Sequence, residues 1–126
     1  MRIIDTPIAS GLKFKSKKID SHSILIKISG SIDMYSVEHL NDFFKNLHSY
    51  NNIILDLDNV YFISSEGIGS IITLLKKVMI KNGLLVLCNL QPKIYENFEI
   101  LGFNQLFIIK SLPDAILYVK EHNQLF

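Results

Sequence analysis

The segment between residues 53 and 75 constrains the fold more than any other part of this chain. An apolar strand, Ile53–Leu57, leads through a short turn to Ser64, Ser65 and an amphipathic helix. The two serines therefore lie at a helix N-terminus, where free backbone N–H groups and the positive end of the helix dipole are found. Such a site can hold an anion, and a phosphoryl group on serine is one. The segment predicts a protein switched by phosphorylation rather than an enzyme.

Composition sets the class of protein. The chain has 126 residues with 48% hydrophobic and 20% charged residues, which predicts one globular domain over 1–126 with a real core. Residues 1–11 show no periodicity and are expected to be an irregular lead-in. The net charge of +1 gives no reason to expect nucleic acid or membrane insertion. One cysteine, Cys88, excludes an internal disulfide, and the lack of a signal peptide or long apolar run predicts a cytoplasmic protein.

The hydrophobic pattern predicts an α/β fold with the element order β-β-α-β-α-β-α-β-α. Two alternating strands joined by a short turn predict an antiparallel hairpin, and lysines 13, 15, 17 and 18 mark the first as an edge strand. A hairpin followed by βα units predicts a mixed sheet with helices packed on it. The expected elements are strands at 12–19, 24–30, 53–57, 84–88 and 106–109, and helices from Ser36, from Ser65 to about Lys81, from Pro92 to Gly102, and from Ser111.

Capping and turn residues give the expected helix boundaries. Ser36 is expected to cap the first helix, and Gly83 to take the left-handed conformation that ends the second. Asp58 and Asn59 are expected to form a turn before Ser64. The apolar positions expected to be buried are Ile68, Ile71, Ile72, Leu75, Val78 and Met79 in the second helix, and Ile94, Phe98 and Leu101 in the third.

Three motifs occur in a characteristic order along the chain. They are Gly30-Ser31-Ile32-Asp33 after the second strand, Ile63-Ser64-Ser65-Glu66-Gly67-Ile68-Gly69 before the second helix, and Leu101-Gly102-Phe103. Together they resemble the motifs of the STAS domain family, the fold of bacterial anti-sigma factor antagonists, whose signature reads Asp-Ser-Ser-Gly before a helix. The resemblance covers residues 12 to about 122 and implies a STAS-like domain.

The resemblance also implies a function and partners. The family's phosphorylated serine corresponds to Ser65, with Ser64 as the second choice, and Ser64 and Glu66 replace the family's aspartate and second serine. The unphosphorylated protein would bind an anti-sigma factor that is also a serine kinase, and so free a sigma factor. Phosphorylation would separate the pair, and a metal-dependent serine phosphatase would reverse it. The chain would be a substrate, not an enzyme, with no cofactor or metal.

One face of the second helix is a candidate interaction surface, because its residues point away from the buried stripe. Gly69 costs the helix about 1 kcal/mol against alanine. It either lets a partner's backbone come close or, with Gly67, permits tight packing of the helix start. Asp33 is either a turn or cap residue or, by resemblance, a kinase contact. The candidate partner-binding residues are Asp33, Ser64, Ser65, Glu66, Gly69, Thr73, Lys76 and Lys77.

Other interpretations remain open at this point. Ser64 and Ser65 could simply cap a helix. A STAS-like domain could also act without phosphorylation, as a scaffold in a signalling assembly or a regulatory subunit of a transporter, or it could sense a small ligand or nucleotide. The sequence has no nucleophile elbow or P-loop, and its histidines are scattered. A receiver domain built on Asp56 or Asp58 with Lys110 is excluded, because the chain begins with two successive strands.

Overall fold

One mixed sheet organises the part of the chain that the structure, a computed structural model, describes, namely residues 11–125. Its strands are β1 (Lys13–Asp20), β2 (Ser23–Ile32), β3 (Asn52–Ile63), β4 (Leu84–Cys88) and β5 (Ile108–Lys110). The helices are α1 (Val37–Lys45), α2 (Ser65–Ile80), α3 (Pro92–Ile100) and α4 (Leu112–Leu125), with a short 3₁₀ turn over Phe103–Gln105. The predicted fold class and element order are confirmed, and the predicted lead-in lies outside the described residues except for Gly11.

The strands lie in the order β1-β2-β3-β4-β5. β1 pairs with β2 in antiparallel fashion, and the other neighbouring pairs are parallel. β1 is therefore the edge strand that the lysines predicted. Its lysines are exposed, whereas Phe14 and Ser16 between them are buried. This alternation protects the edge from pairing with another chain.

Helices cover both faces of the sheet. The larger core cluster lies between one face and α1, α2 and α3, and the smaller cluster lies between the other face and α4. On β3, Ile53 and Leu55 belong to the larger cluster, whereas Ile54 belongs to the smaller one. A strand covered on both faces needs a continuous apolar run, which explains why this segment lacks polar alternation.

Two central strands are longer than the sequence predicted. The predicted turn at Asp58 and Asn59 is wrong, because β3 continues through both residues to Ile63. The continuation of β2 to Ile32 provides the pairing partners for this extension. The register shifts between Lys27 and Ser29 of β2, and this irregularity accommodates the exposed polar pair within the strand.

The last strand also differs from its prediction. It begins at Ile108 rather than Leu106, and Leu106 is exposed after the 3₁₀ turn. Two residues expected in the core are likewise exposed, namely Met79, near the end of α2, and Leu101, which follows α3. The list of residues predicted to be buried also lacked Leu74. This residue belongs to the buried face of α2, three positions after Ile71.

The end of α2 assigns different roles to Asn82 and Gly83. Asn82, not Gly83, takes the left-handed conformation, with φ at 58°. Gly83 is required for another reason, since a Cβ atom there would lie 1.7 Å from the carbonyl oxygen of Asn51. The predicted left-handed glycine cap is therefore wrong by one residue. By contrast, Gly102 ends α3 with a φ of 77°, as expected.

Candidate functional site

The ends of β2 and β3 bring together two of the three motifs. Ile32 pairs with Ile63 in the parallel ladder, and the Ser64 N–H donates a hydrogen bond of 2.7 Å to the Ile32 carbonyl. The residues that follow the two strands, Asp33 and Ser64, are consequently neighbours at the carboxyl edge of the sheet. Two of the predicted site residues therefore meet although 30 residues separate them in the sequence.

Ser64 is the N-cap of α2. Its backbone is extended, with φ at −81° and ψ at 169°, and its Oγ accepts a hydrogen bond of 3.2 Å from the Gly67 N–H. Its carbonyl accepts from the Ile68 N–H, which begins the helical hydrogen-bond pattern. The half-buried hydroxyl is thus committed to the helix. The capping interpretation is confirmed for Ser64.

Ser65 is the first residue of α2 and has a different environment. Its side chain is exposed, and its Oγ donates a hydrogen bond of 3.3 Å to Glu66 Oε1. The Glu66 pKa is lowered, first by a hydrogen bond from its own backbone N–H and then by the Ser64 and Ser65 hydroxyls. A carboxylate therefore already lies at the positive end of the helix, beside the exposed serine hydroxyl.

Asp33 organises the turn between β2 and α1. Its Oδ1 accepts hydrogen bonds from the backbone N–H groups of Tyr35, at 2.9 Å, and Ser36, at 3.1 Å. Ser36 occupies the N-cap position of α1, as predicted, but it makes no side-chain capping hydrogen bond, because its buried Oγ donates to the Ser31 carbonyl at 2.8 Å. The Asp33 carboxylate is the side-chain acceptor of the turn that precedes the helix. The turn-or-cap interpretation of Asp33 is confirmed, and its contact with a partner stays a prediction.

The outward face of α2 comprises six predicted residues, all of which are exposed: Ser65, Glu66, Gly69, Thr73, Lys76 and Lys77. The structure separates the two glycines of this helix. A Cβ atom at Gly67 would lie 2.4 Å from Ile32 Cγ2, whereas one at Gly69 would meet nothing within 4 Å. Close packing against Ile32 therefore explains why residue 67 is a glycine. No contact within the described residues explains why residue 69 is one.

Sequence reasoning missed a set of apolar side chains around this site. Met34 and Tyr35 follow Asp33 directly and are 68% and 81% exposed. Ile100 and Leu101, at the end of α3, line a cleft of about 230 Å³ together with Ser65. A signal for Met34 and Tyr35 was available, because they stand between the predicted second strand and the predicted first helix, in a short connection where a side chain has no core to enter. Exposed apolar groups among polar ones are typical of protein-binding surfaces.

Two buried polar side chains, Cys88 and Asp56, lie on the neighbouring strands β4 and β3. Burial, and then the nearby Asp56, raise the pKa of the Cys88 thiol to about 12, so the thiolate is scarce at neutral pH. Asp56 Oδ1 itself accepts hydrogen bonds from the Asp58 N–H and from Asn89 Nδ2, both at 3.1 Å. Among residues 11–125, no three His, Cys, Asp or Glu side chains cluster in a way that could hold a metal ion.

No helix within the described residues combines the length and the apolar character that a membrane crossing requires. The features that distinguish the site are a capped helix start, an exposed serine and exposed apolar side chains near them. They define an α/β domain whose distinguishing site is a surface at the carboxyl edge of its sheet. The chain belongs to the STAS domain family, whose model, described as STAS domain, matches residues 13–115.

Similar proteins agree with this assignment. Over 63 residues the chain is 36% identical to BtrV of Bordetella bronchiseptica, a match that covers 50% of this chain and 54% of BtrV, about half the length of that relative. Over 103 residues it is 26% identical to the anti-sigma-B factor antagonist of Listeria monocytogenes, covering 80% and 90% of the two chains. SpoIIAA of Bacillus, in its unphosphorylated form, has the same fold, with a TM-score of 0.74, 19% identity, and coverage of 86% and 96%.

Proposed function

We propose that this protein is an anti-sigma factor antagonist switched by phosphorylation of Ser65. In the unphosphorylated state it binds an anti-sigma factor that is also a serine kinase, and so releases a sigma factor. The kinase transfers the γ-phosphoryl group of ATP to Ser65 Oγ and the complex separates. A metal-dependent serine phosphatase hydrolyses the phosphoserine and restores the active form. The name of the Listeria relative supports this proposal, as does the existence of unphosphorylated and phosphorylated structures of SpoIIAA.

The observation that carries the proposal is that Ser64 caps α2 with its side chain, whereas the Ser65 side chain is exposed and makes no cap. The Ser64 Oγ caps α2 through the Gly67 N–H, so a phosphoryl group on it would cost the helix its cap. The Ser65 Oγ is exposed and, among the described residues, bonds only to the exposed carboxylate of Glu66. A phosphoryl group can therefore be added to Ser65 with the helix intact. This favours Ser65 over Ser64 as the modified residue.

The charge change at Ser65 explains how such a switch would work without refolding. A phosphoserine adds about 1.5 to 2 negative charges at neutral pH. The helix N-terminus would stabilise these charges in the free protein, whereas a packed interface would not. Glu66 adds like-charge repulsion and must move aside, since its carboxylate lies at the same helix end. A loss of about 3 kcal/mol in the interface would weaken binding more than a hundredfold.

We infer that the partner covers the outward face of α2 together with the Asp33 turn. The exposed apolar pair Met34 and Tyr35 beside this turn would supply contact area, and the polar residues of α2 would form the rim. Gly69 would let the partner's backbone approach α2, because no side chain fills the space above it. Asp33, Ser64, Thr73, Lys76 and Lys77 are proposed as the polar contacts.

The test compares two variants against the anti-sigma factor kinase of the same host. Ser65→Ala should stay bound in the presence of ATP, whereas Ser65→Asp should bind at least about tenfold more weakly. Ser111→Asp is the matched control, because it introduces the same charge at the exposed start of α4, on the opposite face of the sheet. Intact mass and peptide mapping of residues 53–76 should show one phosphoryl group on Ser65. Equal affinity of the two Ser65 variants would refute the switch.

A second candidate function is a constitutive scaffold. The observation that favours it is Glu66, whose carboxylate already takes hydrogen bonds at the helix start where a phosphoryl group would be stabilised. A scaffold of this kind would bind its partner equally well whatever the state of Ser65. The same pair of Ser65 variants therefore separates the two candidates.

A further inference from the structure

A groove separates α1 from α2 on the face of the sheet opposite α4. Its larger part, about 720 Å³, begins at Glu66 and Gly69 of α2. A smaller part of about 290 Å³ continues toward the end of α2. Phe44, Leu74 and Lys77 line both parts, so the two form one continuous channel, which we call the α1–α2 groove. It runs along α2, whose 16 residues span about 24 Å at 1.5 Å per residue.

The floor of the α1–α2 groove is apolar. Phe44 and Leu74 form it from the two helices, and both are more than nine-tenths buried in the core beneath. The wall on the α2 side is open at Gly69, where a Cβ atom would meet nothing within 4 Å. A helix with its side chains is about 10 Å wide. The missing side chain at Gly69 lowers the wall where a second helix would have to approach α2.

The charges beside the groove are unequally distributed along it. Lys45 and Lys77 line both parts, whereas Glu66 lies only at the end nearest Ser65. Lys77 has no carboxylate within 4.0 Å among residues 11–125, and Lys45 has only an exposed contact of 3.7 Å with Asp42. Such an exposed pair is weak and can be exchanged for another carboxylate at little cost. The middle of the groove therefore presents two cations that are available to a partner.

A third lysine at the far end is not available in the same way. Lys81 Nζ donates hydrogen bonds of 2.8 Å and 2.7 Å to the carbonyl oxygens of His48 and Tyr50. Burial lowers the pKa of this amine. Lys81 thus connects the end of α2 to the segment after α1 through these hydrogen bonds. The positive charges available to an anionic partner are therefore those of Lys45 and Lys77.

We propose that the α1–α2 groove binds an amphipathic, acidic helix of the partner. Apolar side chains on one face of that helix would pack on Phe44 and Leu74, and carboxylates beside this face would pair with Lys45 and Lys77. This inference rests on the proposed function, because the groove shares the outward face of α2 with Ser65. Helix-in-groove docking with apolar anchors at i, i+3, i+4 and i+7 fits the length of the channel.

The proposal also specifies where along the groove the acidic residues of the partner helix should lie. Acidic residues of the partner helix belong near Lys77 and not near Glu66, where like charges would repel. Ser65 and Lys77 are 12 residues apart on α2, about 18 Å along its axis, which is roughly twice the Debye length at physiological salt. A phosphoryl group at Ser65 would consequently leave the pairing at Lys77 nearly intact. Phosphorylation and groove binding are therefore separable.

The probe is a synthetic 18-residue helical peptide with leucines at i, i+3, i+4 and i+7 and glutamates flanking them. A matched peptide carries lysines in place of the glutamates. In amide NMR titrations the glutamate peptide should shift signals of Phe44, Leu74 and Lys77, and the lysine peptide should bind at least about tenfold more weakly. Lys77→Glu should weaken binding of the glutamate peptide about tenfold. Gly69→Trp should abolish it, provided that circular dichroism shows a folded protein.

Two further lysines provide controls. Lys120→Glu changes an exposed residue of α4, on the other face of the sheet, and should leave peptide binding within twofold of the wild type. Lys76→Glu changes a neighbour of Lys77 that does not line the groove, and should cost less than threefold. An equal loss for Lys76→Glu and Lys77→Glu would mean a flat contact with the helix face and would overturn the groove proposal.

The remaining outcomes separate this proposal from the proposed function. The glutamate peptide should bind the Ser65→Asp variant within twofold of the wild type, even though that variant should bind the kinase poorly. If the peptide binds but the Ser65 variants bind the kinase equally well, the phosphorylation switch is refuted and the groove proposal stands. If the peptide does not bind but the Ser65 variants differ in kinase affinity, the groove proposal is refuted and the switch stands. Displacement of the peptide by ATP or GTP would identify a nucleotide site instead, and would also overturn the helix proposal.

Discussion

Replacing Gly67 by alanine is expected to destabilise this domain, whereas the same replacement at Gly69, two residues later on α2, is expected to stabilise it. The two positions share a helix and a backbone conformation, so alanine should bring the same gain in helix propensity at each. They differ in what the new methyl group meets. At Gly67 it would lie 2.4 Å from Ile32 Cγ2 and 2.9 Å from Ile63 Cγ1, and at Gly69 it would meet nothing.

The expected magnitudes follow from this contrast. Alanine in place of a helical glycine gains about 0.5 to 1 kcal/mol. Overpacking a core costs about 1 to 3 kcal/mol, and the upper half of that range applies because Ile32 and Ile63 are themselves buried. Gly67→Ala should therefore lower the free energy of unfolding by about 1 to 2.5 kcal/mol. Gly69→Ala should raise it by about 0.5 to 1 kcal/mol.

Urea unfolding followed by circular dichroism at 222 nm measures both changes, with thermal midpoints as a second readout. A change of 1 kcal/mol moves the midpoint of a domain of this size by about 4 °C. The double variant should show the sum of the two effects, because the methyl groups would lie on opposite sides of the helix. The reasoning fails if Gly67→Ala is as stable as the wild type, or if both single variants move in the same direction.

Other expectations concern the ends and the charge of α2. Ser64→Ala should lower the free energy of unfolding by about 1 kcal/mol through the lost cap, while Ser65→Ala should change it by less than about 0.5 kcal/mol in the same urea assay; similar losses would contradict the different roles of the two serines. Gly83→Ala should cost at least about 2 kcal/mol, because its Cβ would overlap the Asn51 carbonyl. Finally, the Glu66 pKa is lowered in the folded state from 4.5, so the carboxylate stabilises the fold above that pH and the contribution disappears as the pH falls through the folded pKa. The stability difference between the wild type and Glu66→Gln should accordingly shrink below about pH 4.5 in unfolding experiments from pH 3 to 7, and a constant difference would contradict the shift.

Local patterns were sufficient to predict the order of the elements. The lysine-bearing first strand was predicted at the edge of the sheet, and a strand was predicted over Leu84–Cys88; both predictions are confirmed. The helical period in α2 located its start at Ser65 and its outward face. These features depend on neighbours within one or two turns, so a sequence records them directly.

Most of the errors occur where a segment distant in the sequence determines the local conformation. Asp58 and Asn59 favour a turn by themselves, but the extended β2 holds them in a strand. Gly83 suggested a left-handed cap, whereas its true constraint is the carbonyl of Asn51, which belongs to another part of the chain. Ser36 occupies its expected N-cap position, but its hydroxyl bonds to Ser31, five residues earlier, and not to the first turn of α1. The contacts that decide Asp58, Asn59 and Gly83 are tertiary and leave no local pattern.

The candidate site was predicted in part for the same reason. The serine pair and the exposed face of α2 are local features, and the sequence located them. The α1–α2 groove requires Lys45 and Phe44 to lie opposite Lys77 and Leu74, and that pairing depends on how two helices pack. The exposed pair at Met34 and Tyr35 lies between a predicted strand and a predicted helix, but its role at the surface depends on the tertiary position of that connection.

The buried thiol of Cys88 has a practical consequence for measuring any of these interactions. With its pKa raised to about 12, fewer than about one molecule in ten thousand carries the thiolate at neutral pH, and burial shields even that fraction from reagents. A maleimide fluorophore should therefore not react with Cys88 in the folded protein. A single cysteine introduced at Lys76, which is exposed beside the groove without lining it, or at Glu121, on the opposite side of the sheet, could be labelled selectively in the otherwise unaltered protein. The first position would report occupation of the groove, and the second would supply a silent reference.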